Sequence, residues 1–142
     1  MKNYCTALLA ASLLTLPLLA EAQLAQLTVT VRGLVPASGK VEVSLFNTPE
    51  SFLQKPLVQN TQAVDGKEEL VFEFSGLLDG QYAVVVVHDE NDNGRLDNGF
   101  LGLGGESFAY SNDPFTLFGR PSFEAAGFTV GTENVAIDID LD

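Results

Sequence analysis

The segment Asp89-Glu90-Asn91-Asp92-Asn93-Gly94-Arg95-Leu96-Asp97 concentrates more metal-binding chemistry than any other part of this 142-residue chain. Its pattern is D-x-N-x-N-G-x-L-D. Calcium is a hard cation that takes about six to eight oxygen ligands at roughly 2.3–2.6 Å. Alternate residues of a tightly wound loop can point inward together, and glycine permits the positive φ that the bend requires. On this reading Asp89, Asn91, Asn93 and Asp97 supply side-chain oxygens, Arg95 supplies its carbonyl, and Glu106 completes the shell. Leu96 pins the loop to the core, Asp92 is the next candidate ligand, and Glu90 faces water. Ca2+ is the one cofactor the residues suggest. The loop is not an EF-hand: Phe100 stands where that motif has its bidentate glutamate, and a strand leads in rather than a helix. A competing reading needs no metal, since Asn-Asp-Asn-Gly is also an ordinary turn whose Asx side chains cap their own backbone.

Other chemistry is thin. His88 is the only histidine, so a histidine-rich zinc or copper site has no partners, and a hydrolytic triad has one possible base. Its expected role is packing or a hydrogen bond at a strand end. The only cysteine, Cys5, precedes an apolar run and falls in a segment expected to be removed, which leaves no thiol for a disulfide, a metal or a nucleophile. Acids are plentiful but no pair stands out for glycoside chemistry, and tryptophan is absent. No glycine-rich phosphate loop opens a helix. No enzyme is expected.

Residues 1–22 read as a signal peptide, with Lys2 as the basic start, Leu8 to Ala20 as the apolar run, and cleavage after Ala22. The apolar run is shorter than the roughly 20 residues of a spanning helix, and none follows it, so the mature chain is expected to have no membrane span. The location implied is periplasmic or secreted. Residues 23–142 then form one domain. The net charge of −12 repels nucleic acid, so no nucleic-acid partner is expected, and no protein or glycan partner is identified.

The elements that must hold the acidic segment are strands. Leu27, Val29 and Val31 alternate with polar residues, as do Val41, Val43 and Leu45, and Pro36-Ala37-Ser38-Gly39 between them suggests a hairpin or neighbouring antiparallel strands. Leu70, Phe72 and Phe74 form a third alternating set. Tyr82 to His88, with Val84-Val85-Val86-Val87, reads as a central strand covered on both faces. Further strands are expected at Ala126 to Val130 and at Val135 to Leu141. Asn47 to Val64 is expected to be irregular, with a short helical turn at Ser51-Phe52-Leu53 capped near Thr48. Asp89 to Pro121 reads as one long Gly/Asx-rich loop. Its aromatics, Phe100, Phe108, Tyr110, Phe115, Phe118 and Phe123, are expected to fold back and plug one end of the domain. The fold class is all-β: a single antiparallel β-sandwich, Ig-like or transthyretin-like in general shape.

The run Gly80-Gln81-Tyr82-Ala83-Val84 through His88 to Asp97 resembles the signature of a secreted bacterial family catalogued as domain of unknown function 2141. So do Glu106-Ser107-Phe108-Ala109-Tyr110-Ser111-Asn112 and Pro121-Ser122-Phe123-Glu124-Ala125-Ala126-Gly127-Phe128. The resemblance spans nearly all of residues 23–142 and implies an exported single β-sandwich domain with no activity to carry over. Asp89, Asn91, Asn93, Gly94 and Asp97 match the family loop, which implies a shared structural role for it. Gly104 replaces a proline of the pattern, and Ser107 and Ala109 replace glycines, so the segment around Glu106 is expected to be looser. The function expected is that of an exported, non-enzymatic domain with a structural calcium loop. The alternatives are a carbohydrate- or envelope-component-binding module using the aromatic loop, and a small hydrolase using His88 or a carboxylate pair.

Overall fold

The computed structural model describes residues 23–97, 105–115 and 119–141. The expected leader, residues 1–22, lies outside them. Among the described residues no helix is long and apolar enough to cross a membrane.

The chain is mostly β, arranged as two sheets. The elements are β1 (Ala25–Arg32), β2 (Lys40–Phe46), β3 (Val58–Ala63), β4 (Leu70–Leu77), β5 (Gly80–Asp89), β6 (Phe108–Tyr110), α1 (Phe123–Ala126), β7 (Phe128–Val130) and β8 (Val135–Asp140). One sheet has the order β4-β1-β8, the other β3-β2-β5-β6, with β7 also pairing β5. Period-two alternation determines which side chains meet. β1 buries Ala25, Leu27, Val29 and Val31, and its partners across the sheet include Phe74 and Phe72 on β4 and Ile137 and Ile139 on β8. From the second sheet, Val41, Val43 and Leu45 of β2 and Val84 and Val86 of β5 join the same buried cluster. Burying each such side chain contributes about 1.5–3 kcal/mol, which is what holds the sheets together.

Three expectations change. Residues 36–39 do not close a hairpin, because β1 pairs β4 and β8 while β2 pairs β3 and β5. The link from Gly33, at φ +74°, carries the chain from one sheet to the other, and Leu34 is buried within it. The sheets are not wholly antiparallel either: β1 and β8 run parallel. That pairing becomes possible because the whole intervening chain serves as the crossover a parallel pair requires. Finally, the stretch expected to be irregular contains β3, whose sequence VQNTQA has no apolar alternation to announce it. Backbone pairing with β2 makes it a strand, and Gln62 Nε2 donates to the Val71 carbonyl of β4 at 2.7 Å, so β3 is tied to the other sheet as well.

The turn near Thr48 does form: Thr48 Oγ1 accepts from the Ser51 N–H at 3.2 Å, and the Lys55 N–H donates to the Ser51 carbonyl at 2.9 Å. It delivers Phe52 to the outer face of the second sheet. There Phe46, Phe52, Ala83, Phe123 and Ala126 form a second buried cluster, with Phe52 edge-on to Phe46 and to Phe123 at centroid distances of 5.4 and 5.9 Å. This is how β5 comes to be covered on both faces. Of the aromatics expected to plug the domain, Phe123 does so. Phe108 and Phe115 are 48% and 88% exposed, Tyr110 is half-buried, and Phe100 and Phe118 lie outside the described residues.

Residues 89–121 are not one loop, since β6 pairs with β5 inside that span. The strand expected at 126–130 is the shorter β7, preceded by the single turn of α1 with Ser122 as its cap. Ser111 joins these parts: buried at 2% exposure, its Oγ accepts from the Val84 N–H at 2.9 Å and donates to the Ala126 carbonyl at 2.5 Å. Removing that oxygen leaves a buried N–H and a buried carbonyl without a partner, at about 1–3 kcal/mol each. Ser111→Ala is therefore expected to lower the unfolding free energy in urea by about 2–6 kcal/mol, whereas substituting the neighbouring exposed Asn112 with serine, which loses one hydrogen bond to the Gly127 carbonyl, should cost less.

Candidate functional site

The acidic segment begins where β5 ends. Pairing of Lys40 with Asp89 at the last rung of β2 and β5 fixes the point of departure. Gly39 is required beside it: at φ +77° it sits where a Cβ would fall 2.1 Å from the Asp89 carbonyl oxygen. The turn then runs through Asp92 (φ 57°) and Gly94 (φ +74°), both in the left-handed region.

Side chains close this turn onto its own backbone. Asp89 Oδ1 accepts from the Asn93 N–H at 3.0 Å and Oδ2 from the Gly94 N–H at 2.7 Å. Asn91 Oδ1 accepts from the Asn93 N–H at 3.1 Å, and Asn93 Oδ1 from the Arg95 N–H at 2.8 Å, which makes two successive Asx turns. The amide groups of Asn91 and Asn93 both donate to Asp97 Oδ2, each at 2.7 Å. Asp92 turns the other way, and its Oδ1 lies 2.6 Å from Lys40 Nζ.

Glu106 braces the base of the turn. It is 8% exposed, with Oε1 accepting from the Glu90 N–H at 3.0 Å and Oε2 from the Asp97 N–H at 2.9 Å. Its own N–H donates to the Asp97 carbonyl at 2.9 Å, and the next residue's carbonyl accepts from the His88 N–H at the same distance. One carboxylate thus clasps both ends of the turn. Both of its carboxylate oxygens are engaged.

The electrostatics follow from these contacts. Burial pushes the Asp89 carboxyl up, but the backbone N–H groups of Gly94, Asn93 and Asp92, together with the Glu106 side chain within hydrogen-bonding reach, outweigh it and hold Asp89 below its ordinary value. The hydrogen bond and charge of Asp92 raise Lys40.

The structure brings together by their side chains five of the six residues singled out in the sequence: Asp89, Asn91, Asn93, Asp97 and Glu106. The Arg95 N–H joins the Asx turn. Among the described residues there is no group of three or more His, Cys, Asp or Glu side chains gathered so as to hold a metal ion; the oxygens are engaged by N–H donors instead. Leu96 does not enter the core. It is 38% exposed and lies with Val87 along the outer face of the second sheet, because the turn leaves β5 on that side. His88 points the opposite way, fully buried, with Nε2 2.8 Å from the Ser38 carbonyl and, among the described residues, no partner for Nδ1. The sequence did not reveal Ser111 or the brace formed by Lys40 and Asp92. Small polar residues and surface charges carry no periodic signal, and only the register shows what they face.

A family model described as an uncharacterised protein conserved in bacteria matches residues 29–138. No curated protein and no solved structure matches the chain.

The depressed Asp89 pKa has a direction that can be checked. A carboxyl whose folded pKa lies below its unfolded value contributes stability above about pH 4, and that contribution is lost as pH falls through the folded value. The melting temperature of the protein should therefore fall with acidification below about pH 4, and Asp89→Asn should flatten that part of the profile. Parallel profiles for the two proteins would show that Asp89 contributes nothing to it.

Proposed function

Because the chain belongs to the bacterial family of domain of unknown function 2141, whose description assigns no activity, we propose from its own geometry that it is an exported, non-enzymatic β-sandwich domain in which calcium orders the Asp89–Asp97 turn. Its general shape on this reading is Ig-like or transthyretin-like, and its location is periplasmic or secreted. The observation that carries the calcium reading is the approach of two carboxyl groups, Asp89 and the buried Glu106, at the mouth of a turn whose Asn91 and Asn93 oxygens are already oriented by their backbone. A cation between them can be met by lone pairs of both carboxyl groups. Each Asx oxygen accepts one N–H and retains a lone pair. Asp97 sits opposite, receiving two amide donors that a cation can replace once the amides turn their oxygens toward it. With the Arg95 carbonyl this set reaches the oxygen number calcium favours.

The non-enzymatic part of the reading rests on His88. The chain's only histidine is sealed in the core, with its ring nitrogen on a backbone carbonyl, away from any surface where a substrate could meet it.

The test is calorimetric titration of chelator-treated protein with calcium, with Asp89→Ala alongside. Saturable heat and a melting temperature that rises with free calcium are expected, by an amount equivalent to about 2.7 kcal/mol at one hundred times Kd. The Asp89→Ala protein should show neither. Absence of heat and of any thermal shift at millimolar calcium would sink the proposal and leave the turn closed by its Asx bonds alone.

A further inference from the structure

Directly opposed residues on neighbouring strands share a face of the sheet. Two rows therefore cross the outer face of the second sheet: Thr61, Glu42, Val87 and Phe108, then Gln59, Ser44, Val85 and Tyr110. The rows are polar toward β3 and apolar toward β6. The cluster that covers this face, built on Phe46, Phe52 and Phe123, reaches only as far as Val85 and Tyr110 at its margin. Val87, at the centre of the sheet, is left half-buried.

A cavity of about 180 Å³ opens where the cover stops, floored by Val85 and Val87 and walled by Leu53, Leu96, Phe108 and Tyr110. A second, of about 240 Å³, shares Val87 and Leu96 with it and continues toward Lys40. Phe108 is 48% exposed but not loosely placed. It lies on a paired strand, edge-on to Tyr110 at 5.8 Å and 82°.

Among the described residues that line the first cavity, the charged one is Arg120. Among the described residues Arg120 makes no ion pair. In a chain with 19 acidic and 7 basic residues, Arg120 places a positive charge at the rim of an apolar groove. Its charge reaches Tyr110, whose phenol burial pushes up and Arg120 pulls down.

We infer that this groove binds a small amphiphilic monocarboxylate, its apolar body over Val85, Val87 and Phe108 and its carboxylate on the Arg120 guanidinium. Guanidinium and carboxylate match as a two-pronged hydrogen-bonded pair. The single negative charge follows from the net charge of −12, which makes a polyanion costly to approach. The small size follows from the volume, which is below the roughly 300 Å³ at which ordinary ligand pockets begin. A sugar fits poorly, because the walls offer it few hydrogen-bonding groups. The inference is independent of the calcium proposal, since none of the turn's carboxylates lines this cavity.

The experiment is a titration of the protein with octanoate and, separately, with octanol, followed by the methyl resonances of Val85 and Val87 and run with calcium and with chelator. Octanoate should shift these resonances saturably in both conditions and bind more tightly than octanol. Arg120→Gln, a change at an exposed position, should weaken octanoate about tenfold and leave octanol unchanged, while Phe108→Ala should weaken both. Unchanged core resonances of Val29 and Phe72 certify that each variant is folded. The inference is overturned if the methyls do not respond, if octanoate and octanol bind alike, if Arg120→Gln leaves octanoate binding intact, or if the resonances move with protein concentration alone, which would make this face a contact between copies.

Discussion

The ladder between β2 and β5, from Phe46 opposite Ala83 to Lys40 opposite Asp89, is the constraint on which the other features depend. It places Val84, Val86 and His88 in the core and, by alternation, Ala83, Val85 and Val87 on the opposite face. A slip of one residue would exchange the two sets, burying the charge of Asp89 and exposing the core. The acidic turn starts from the last rung of this ladder, and the outer groove is floored by its outward residues. Both candidate regions are thus set by one register. The fit of Gly39 against the Asp89 carbonyl holds that register at the end where the turn begins, because any side chain there would collide with backbone.

The parts of this arrangement that the sequence made legible are those in which a periodic pattern coincides with burial. β1, β2, β4, β5 and β8 each show alternating or continuous apolar residues, and each forms close to where the pattern places it. β3 and β6 do not show it: VQNTQA is held by backbone bonds, and FAY is three residues long. Pairing was less legible still. Nearness in sequence suggests β1 beside β2, yet the apolar faces of these strands meet across the core instead of lying in one sheet. In the turn, composition identified the right residues, but not what each does. Glu106 reads as one more oxygen in a shell, while its two oxygens clasp the N–H groups of Glu90 and Asp97. Leu96 reads as an anchor to the core, though the side on which the turn leaves β5 puts it on the outer face.

The acids of the turn illustrate how a strongly anionic chain can keep carboxylates close together. Four backbone N–H groups and two amides point at Asp89, Asp97 and Glu106 and replace the water that these groups would otherwise require. The same donors lower the free energy of the ionised state, which is why Asp89 lies below its ordinary value although burial works in the other direction. A turn built this way is closed by its own donors. A cation entering it would have to replace the two amide donors on Asp97 before the Asn91 and Asn93 oxygens face it.

The turn and the groove meet at Leu96, which belongs to both. It lies between Asn93 and Asp97 in sequence, and its side chain walls the groove beside Val87. Whatever fixes the backbone between Gly94 and Asp97 fixes the position of that side chain, and an apolar body resting against Leu96 restrains the same backbone from the other direction. Linkage makes such a relation reciprocal: a ligand at either place that favours one position of Leu96 favours binding at the other by the same factor. The size of that factor depends on how far Leu96 moves when the turn is loosened. Glu106 limits this, since its clasp on Glu90 and Asp97 holds both ends of the turn whether or not anything is bound. The buried carboxylate therefore makes the groove wall largely independent of the ion, and leaves the exposed tip at Asp92 to Gly94 as the part of the turn most open to change.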